Sequence, residues 1–253
     1  MGRGRQGPPR RRRGCLWARW STARRRPAPR SRARVTTVKL KLGVAATGGQ
    51  DVAAAAGAVA AVRAAVGPDV AIRADANRAF GLGDVPALLA ALAPHDVAYV
   101  EEPAAGLGAA LPALGRLAVP VALDESLAEP DAPRWLDDAL ATGAVAAVVL
   151  KPTVLGPARL LAVTARAAAA GVGAVVTHAL EGAIGTAAAI EVALALGGDR
   201  GRAAGLDRHP GLAAWPLPIP TLGERALVDA PRVGLGLDVD AALACARRHE
   251  VTT

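Results

Sequence analysis

The sequence predicts an α/β fold, a TIM-type barrel in which parallel strands alternate with helices. From position 35 onward, short β-rich runs alternate with Ala- and Leu-rich stretches of helical length. Unbroken apolar runs such as Val145–Leu150 are typical of parallel strands that are covered on both faces. Charged residues end four successive strands at intervals of 26, 23 and 27 residues, close to the length of one βα unit: Asp75, Glu101, Asp124 and Lys151.

The strands and helices can be placed along the chain in order. Strands are predicted over residues 35–42, 70–75, 97–101, 120–124, 145–151, 173–177 and 203–206. Helices are predicted over residues 51–66, 84–93, 107–118, 131–141, 157–170 and 183–197. A doubly wound nucleotide-binding sheet is the other fold built from such units, but no Gly-x-Gly-x-x-Gly follows a strand start. We therefore predict a barrel over residues 35–240, between an Arg-rich tail at 1–34 and a C-terminal tail at 241–253.

Composition narrows the class of protein. With 253 residues and 52% hydrophobic residues the chain can bury a full core, and with 2% aromatic residues that core must be aliphatic. No apolar run approaches the roughly 20 residues of a membrane span, so we expect no membrane partner. Cys15 and Cys245 are the only cysteines, which argues against a zinc site or a disulfide framework and fits a cytoplasmic location.

The positive net charge of +8 belongs to the N-terminal tail. Residues 1–34 contain 13 Arg and no Asp, Glu or Lys, and the rest of the chain contains 17 basic and 22 acidic residues. The tail is interpreted as a segment without an evolved role, such as a misassigned start, as a plastid or other targeting segment, or as a nucleic-acid arm. Prolines at positions 8, 9, 27 and 29 and the lack of amphipathic spacing favour the first interpretation, so we expect no nucleic-acid partner.

The cations of this chain are almost all arginines, with 27 Arg against three Lys, namely Lys39, Lys41 and Lys151. Each lysine ends a short apolar run that predicts a strand. Arg keeps its proton at any ordinary pH, whereas Lys becomes a general base when burial and a neighbouring cation favour the neutral amine. Lys39 lies two residues before Lys41, on the same strand face, and is such a neighbour. The lysines are therefore candidates for proton transfer.

Three acidic residues end the strands between these lysines. In a barrel, parallel strands deliver their C-terminal residues to one rim, so Asp75, Glu101 and Asp124 would converge. Three like charges at one point need a cation, and oxygen ligands favour Mg²⁺. Lys41 and Lys151 would face each other across the metal. This arrangement suits proton abstraction from a carbon next to a carboxylate, so we expect a small-molecule carboxylate as the substrate.

The candidate residues stand in five motifs: Val38-Lys39-Leu40-Lys41, Asp75-Ala76-Asn77, Val100-Glu101-Glu102-Pro103, Leu123-Asp124-Glu125-Ser126 and Leu150-Lys151-Pro152. These motifs resemble the successive strand ends of the enolase superfamily, in its muconate-lactonizing subgroup. Two longer runs, Val148 to Gly156 and Thr177 to Gly185, are similar to those of o-succinylbenzoate synthases. The resemblance covers roughly residues 35 to 240, including Val233–Asp238. It implies a (β/α)7β barrel that is preceded by an α+β capping domain.

The resemblance also implies roles for the charged residues. Asp75, Glu101 and Asp124 match the Mg²⁺ ligands of the superfamily. Lys41 matches an acid/base lysine that would remove the α-proton of a cyclohexadiene carboxylate and return a proton to the departing hydroxyl. This syn dehydration would give o-succinylbenzoate, an intermediate of menaquinone and phylloquinone biosynthesis. Lys151 matches the opposing lysine, which would stay cationic and stabilise the enediolate or hold the ring.

Neighbouring polar residues receive supporting roles. Lys39 would lie beside the acid/base lysine, and Asn77 would orient the ligands. His178 follows the strand at 173–177 and would reach the rim to contact the substrate. Glu102 and Glu125, each next to a proposed ligand, are interpreted as groups at the rim or as groups that support the ligands from behind.

The sequence departs from the superfamily pattern before Lys39, where the Arg-rich tail takes the place of a first strand and a capping domain. A site without a capping domain is open to water, and a barrel without one strand has two unpaired strand edges. We therefore expect this chain by itself to have low activity. Two alternatives stay open. One is a dipeptide epimerase or another racemase or cycloisomerase of the superfamily, although Asp207 supplies only one of the two acids that a dipeptide epimerase carries near the last strand. The other is a truncated, inactive product, and the oligomeric state has no signal in the sequence.

Overall fold

The computed structural model describes residues 16–17, 36–43, 50–196 and 203–206. Within these residues the strands form a single sheet in which every strand runs parallel to the next one in the chain. The strands are β1 Leu16–Trp17, β2 Thr37–Lys41, β3 Ala71–Asp75, β4 Val97–Glu101, β5 Val121–Leu123, β6 Val145–Leu150 and β7 Gly173–Val176. Sequential order without crossover is the order of a barrel, so the predicted fold class is confirmed.

The helices connect these strands as the sequence predicts. They are α1 Val52–Val66, α2 Val85–Leu92, α3 Leu107–Leu114, α4 Ala132–Ala141, α5 Pro152–Ala169 and α6 Ala183–Leu196. Asp51 caps α1 because its carboxylate accepts hydrogen bonds from the backbone N–H groups of Ala53 and Ala54. The predicted start of α5 at residue 157 is late, since Pro152 already opens a helical turn that is interrupted at Gly156, where φ is 68°.

The alternation of side chains along each strand creates two apolar layers. Outward residues such as Leu40, Val100 and Val148 pack under the helices, together with the fully buried Leu88 and Leu89 of α2. Each such leucine contributes roughly 1.5–3 kcal/mol through burial. A second cluster faces the concave side of the sheet and consists of Tyr99, Ala122, Ala147, Val149 and Val175. The concave layer is small and consists mostly of Ala and Val. The charged residues described below lie beyond it, at the C-terminal ends of the strands.

The N-terminal edge of the sheet corrects one expectation. The sequence predicts no strand before residue 35, yet Leu16 and Trp17 pair in parallel with Val38 and Lys39. A run of two residues within an Arg-rich segment has no periodicity, so sequence pattern does not reveal it. The remaining residues of the predicted tail at 1–34, the tail at 241–253, the motif at 233–238 and Asp207 lie outside the described residues.

The C-terminal end of the described chain contains a bridge where a strand was predicted. Gly205 pairs with Thr177 in a single parallel bridge next to β7, and residues 203–206 form no longer strand. None of the helices in the described part of the chain is both long and apolar enough to cross a membrane.

The opposite end of the sheet is held by one arginine that the sequence does not single out. The Arg63 guanidinium donates hydrogen bonds to the carbonyl oxygens of Gly67, Val70, His95 and Asp96, at distances between 2.7 and 3.1 Å. These carbonyls belong to the loops that enter β3 and β4. Arg63 therefore joins two neighbouring loops through their backbones.

Candidate active site

The predicted site residues lie together at the C-terminal ends of β2 to β6. Lys41 is in register with Asp75, and Asp75 is in register with Glu101, so three neighbouring strands present these side chains in one row. Asp124 follows β5 directly. The three acids are almost fully buried, with exposed fractions of 0%, 1% and 4% for Asp75, Glu101 and Asp124.

Lys39 is the most deeply placed cation of this site. Its Nζ lies 2.6 Å from Glu101 Oε1 and 2.8 Å from Asp75 Oδ2. Burial lowers the pKa of Lys39, but the attraction of Glu101 and Asp75 outweighs burial and leaves the pKa above its ordinary value. Lys39 is therefore an ammonium that neutralises two acids, in addition to being a neighbour of Lys41.

Lys41 lies on the open side of the same row. Its Nζ is 2.6 Å from Asp75 Oδ2 and 2.6 Å from Asn77 Oδ1, and 42% of its side chain is exposed. The backbone N–H of Asn77 also donates to Asp75 Oδ1. Asn77 thus contacts both an acid and a lysine, and its role in orienting the ligands stays a prediction.

Lys151 lies on the other side of the acids. Its Nζ is 2.5 Å from Asp124 Oδ2 and 3.1 Å from Glu125 Oε1. Burial lowers the pKa of Lys151, but Asp124 and Glu125 raise it to a net value above the ordinary one. Since β3, β4 and β5 separate Lys41 from Lys151, the two lysines approach the acids from opposite sides.

The pKa values of the three acids shift in different directions. Burial raises the pKa of Asp75, yet Lys39 and Lys41 outweigh it, so the pKa lies below its ordinary value. Burial, and then the charge of Asp75, raises the pKa of Glu101 well above its ordinary value. Burial also raises the pKa of Asp124, although Lys151 acts against this effect. Adjacent buried carboxylates cannot all ionise unless cations compensate them.

The acids fit a divalent cation by their chemistry rather than by their present arrangement. Within residues 36–43, 50–196 and 203–206, no three His, Cys, Asp or Glu side chains are arranged to hold a metal ion. The carboxylates of Asp75, Glu101 and Asp124 instead face lysine ammonium groups. Three buried carboxylates at adjacent strand ends are nevertheless an all-oxygen donor set of the kind that Mg²⁺ prefers. The predicted ligand set stays a prediction.

Glu102 lies behind the proposed ligands, which is one of the two positions predicted for it. It is fully buried, and its Oε2 accepts hydrogen bonds from the backbone N–H of Asp124 at 2.7 Å and from Ser126 Oγ at 3.0 Å. Its Oε1 accepts from the backbone N–H of Ser126 and from the guanidinium of Arg78. Burial raises the pKa of Glu102 to about 7, although Asp124, Arg78 and Ser126 all act to lower it. The only signal for this role in the sequence is its position beside Glu101.

Glu125 bridges two predicted site residues. Its Oε1 lies 3.1 Å from Lys151 Nζ and 3.5 Å from Asn77 Nδ2. Its other carboxylate oxygen, Oε2, is buried without a hydrogen-bond partner. The side chains of Lys41, Asn77, Glu125 and Lys151 therefore form a continuous polar chain across the mouth of the site.

His178 lies at the same edge of the sheet, just after β7. Its backbone N–H donates to the carbonyl of Gly205, and its Nδ1 accepts from the backbone N–H of Leu180 at 3.3 Å. The next loop is tied across to α5, since Thr153 Oγ1 donates to Glu181. The structure thus places His178 at the predicted rim, and its contact with a substrate stays a prediction.

Comparison with known proteins agrees with this geometry. The family model described as enolase C-terminal domain-like matches residues 23–243. The chain belongs to this family. An o-succinylbenzoate synthase from Thermobifida fusca (strain YX) is 35% identical over 161 residues, which make up 64% of this chain and 48% of that protein. The chain thus spans about half the length of the curated relative that it matches.

Solved structures of the enolase family share the fold. A dipeptide epimerase from Enterococcus faecalis V583 matches over 73% of this chain and 52% of its own, with a TM-score of 0.59 and 26% identity. MenC from Desulfotalea psychrophila LSv54 matches over 70% and 48%, with a TM-score of 0.57 and 24% identity. The muconate lactonizing enzyme of Pseudomonas putida matches over 61% and 42%, with a TM-score of 0.52 and 24% identity. The predicted resemblance to the enolase superfamily is confirmed.

Proposed function

We propose that this protein is a Mg²⁺-dependent lyase that removes the α-proton of a small carboxylate substrate and dehydrates a cyclohexadiene carboxylate to o-succinylbenzoate. The observation that carries the proposal is the position of Lys41 and Lys151 on opposite sides of three buried carboxylates. The synthase from Thermobifida fusca, at 35% identity, supports dehydration as the outcome. Family membership supports an enzyme of the enolase type.

Lys41 is assigned the proton transfers because of its exposure. With 42% of its side chain exposed, the amine lies where a substrate can reach it, while Asp75 and Asn77 hold it in place. In the proposed reaction the neutral amine of Lys41 takes the α-proton, and the electron pair of the C–H bond moves toward the substrate carboxylate. The same nitrogen then returns the proton to the hydroxyl group, which leaves as water while the ring becomes aromatic.

Lys151 is assigned a purely electrostatic role. Its carboxylate partners, Asp124 and Glu125, favour the ammonium form even though the group is largely buried. A fixed ammonium next to the reacting carboxylate stabilises the negative charge that develops there during proton removal. Lys151 therefore need not change its protonation state during the dehydration.

Asp75, Glu101 and Asp124 are the residues that would hold Mg²⁺. When bound, the ion would neutralise these carboxylates and polarise the substrate carboxylate, which makes the α-proton more acidic. The supporting observation is the chemistry of the donor set, three buried carboxylates on adjacent strands with no sulfur or nitrogen ligand among them. Lys39 pairs with two of them and compensates part of their charge.

A dipeptide epimerase is the second candidate. The epimerase structure from Enterococcus faecalis, with a TM-score of 0.59 and 26% identity, favours it, as does the placement of lysines on two opposite sides. Epimerisation needs one lysine to take a proton on one face and the other to give a proton on the opposite face. Both Lys41 and Lys151 would then have to cycle between amine and ammonium, whereas dehydration requires this change of Lys41 alone.

This difference yields a matched pair of variants. The full chain with Mg²⁺ is given the cyclohexadiene carboxylate in D₂O, and formation of o-succinylbenzoate and exchange of the α-proton are followed by NMR. Lys41→Arg should reduce both by at least about 100-fold, since Arg cannot accept the proton. Lys151→Arg keeps the cation and should retain a substantial part of the activity.

The same pair tests the alternative. An unblocked dipeptide that epimerises in the wild type, with activity lost in both Lys→Arg variants, would support the epimerase instead. A Lys41→Arg variant with undiminished dehydration would move the proton transfer to another residue. Circular dichroism of each variant shows whether the fold is retained.

A further inference from the structure

Backbone strain is concentrated at the candidate active site. Among the described residues that are not glycine, positive φ values occur at Asn77, Arg78, Asp96, Glu102 and Leu180. Asn77, Arg78 and Glu102, with φ values of 45°, 61° and 41°, directly follow the strand ends that carry Asp75 and Glu101. Residues other than glycine keep this left-handed backbone conformation only where the surrounding structure fixes them. Something near the proposed ligands must therefore hold these residues.

Glu102 holds the turn at Asn77 and Arg78. Its backbone carbonyl accepts from the N–H of Arg78 at 2.7 Å, and its side chain accepts from the Arg78 guanidinium. The guanidinium also lies 2.6 Å from Glu129 Oε1, so two carboxylates fix its position. The left-handed turn at Asn77 and Arg78 is thus secured by hydrogen bonds on its backbone and on its side chain.

The same carboxylate also fixes the next loop. Its two oxygens take the backbone N–H groups of Asp124 and Ser126 and the hydroxyl of Ser126. These contacts set the direction in which the chain leaves β5, and hence the position of the Asp124 carboxylate and of Glu125. Glu102 therefore fixes two loops that carry three of the polar groups of the site, namely Asn77, Asp124 and Glu125.

We propose that Glu102 is a positioning residue, which holds the backbone of Asp124 and the turn at Asn77 so that the acids and lysines meet in one arrangement. The inference rests on the proposed function for the meaning of that arrangement. Its donors come from Arg78, Asp124 and Ser126, so Glu102 acts through its neighbours rather than on a substrate. Removing Glu102 should increase the mobility of both loops and lower the affinity of the acids for a cation.

The test compares Glu102→Ala with Glu102→Gln in the full chain. Glu102→Ala removes both acceptor oxygens, and amide hydrogen exchange over residues 121–128 should speed up at least about tenfold while α1 is unaffected. The affinity for Mg²⁺, measured by calorimetry, should fall at least about tenfold. Glu102→Gln keeps one acceptor oxygen and should restore part of both properties. Arg166→Ala, which removes an ion pair with Asp137 on the outer helices, is the control and should change neither.

Each outcome has a separate meaning. Unchanged exchange over residues 121–128 in Glu102→Ala, or equal Mg²⁺ affinity together with a lowered melting temperature, would reduce Glu102 to a merely structural residue. If the wild type itself binds no Mg²⁺, the proposed function fails, and the exchange measurement alone decides whether Glu102 positions the loops. If Glu102→Ala does not fold, Ser126→Ala removes only the hydroxyl contact and should still weaken Mg²⁺ binding about two- to fivefold. Equal binding in that variant would overturn the inference.

Discussion

Lys39 and Glu101 form a buried ion pair, with 2.6 Å between Nζ and Oε1 and side chains that are only 8% and 2% exposed. The ammonium also lies 2.8 Å from Asp75 Oδ2, so it compensates two of the three acids that are proposed to bind Mg²⁺. Removing a charge from water costs several kcal/mol, and attraction offsets this cost only while each charge keeps its partner. The ionisation of the acids and the stability of the barrel are therefore linked through Lys39.

Replacing Lys39 by Met keeps most of the side-chain volume but removes the charge. We expect the free energy of unfolding to fall by about 3–5 kcal/mol in the presence of EDTA, because buried acids lose their counter-ion. Saturating Mg²⁺ should restore part of this loss, since a bound cation stabilises the folded state. Urea denaturation with and without Mg²⁺ measures both effects. Lys41→Met, at a side chain that is 42% exposed, is the matched control, and an equal loss there would contradict the special position of Lys39.

Asp124→Ala should abolish tight binding of Mg²⁺. Asp124 is 4% exposed and follows β5 next to Glu101, so its loss removes one of three oxygen ligands. Calorimetric titration of Mg²⁺ into the wild type and the variant measures the difference in affinity, which should be at least about tenfold. Asp137→Ala, on the outer surface of α4, provides the control. The same affinity in Asp124→Ala and the wild type would remove the proposed metal site.

Much of this site can be predicted from the sequence because the relevant information is local. Each strand is an apolar run, each run ends in a charged residue, and parallel strands bring their ends to one rim. For this reason the side chains of Asp75, Glu101, Asp124 and the lysines lie close together, and their roles stay predictions. The family comparison then confirms the superfamily that their motifs resemble.

The features that the sequence misses depend on contacts between distant segments. The burial of Glu102 depends on Ser126 and Arg78, which approach it only after β3, β4 and β5 have formed a sheet. The pairing of Leu16 with Val38 is equally non-local, and two residues carry no periodicity. The partition of charge among Lys39, Asp75 and Glu101 likewise follows from distances that a linear pattern does not contain.

The stability of the protein should depend on pH through Glu102. Burial raises its pKa from 4.5 to about 7, so between these values the folded protein holds the proton that the unfolded chain has already lost. The contribution of Glu102 is therefore fully present below about pH 4.5 and is lost as the pH rises through about 7. A shift of this size corresponds to roughly 3 kcal/mol.

Glu102→Gln isolates this contribution, because its side chain is neutral at every pH. The free energy of unfolding is measured by urea denaturation at a series of pH values between about 4.5 and 8 for both proteins. The wild type minus variant difference should fall by roughly 3 kcal/mol across this range. A difference that stays constant would show that Glu102 does not titrate there, since shifts at Glu101 and Asp124 are common to both proteins.

Arg63 should matter for stability although it lies at the opposite end of the barrel from the site. Its guanidinium holds the carbonyl oxygens of Gly67, Val70, His95 and Asp96, and its side chain is 17% exposed. Removing it leaves these oxygens without a charged donor, and hydrogen bonds to charged groups are the stronger ones.

Arg63→Ala should therefore lower the free energy of unfolding by about 2–4 kcal/mol. This range allows for water molecules at the exposed edge, which replace some of the lost hydrogen bonds. Arg63→Lys should recover only part of it, because an ammonium cannot match the planar fork that reaches two loops at once. Arg134→Ala, at an exposed position on α4, should change stability by less than about 0.5 kcal/mol and serves as the control. Urea denaturation of the three variants measures these effects. Equal stability of Arg63→Ala and Arg134→Ala would mean that the two loops are held by their apolar packing alone.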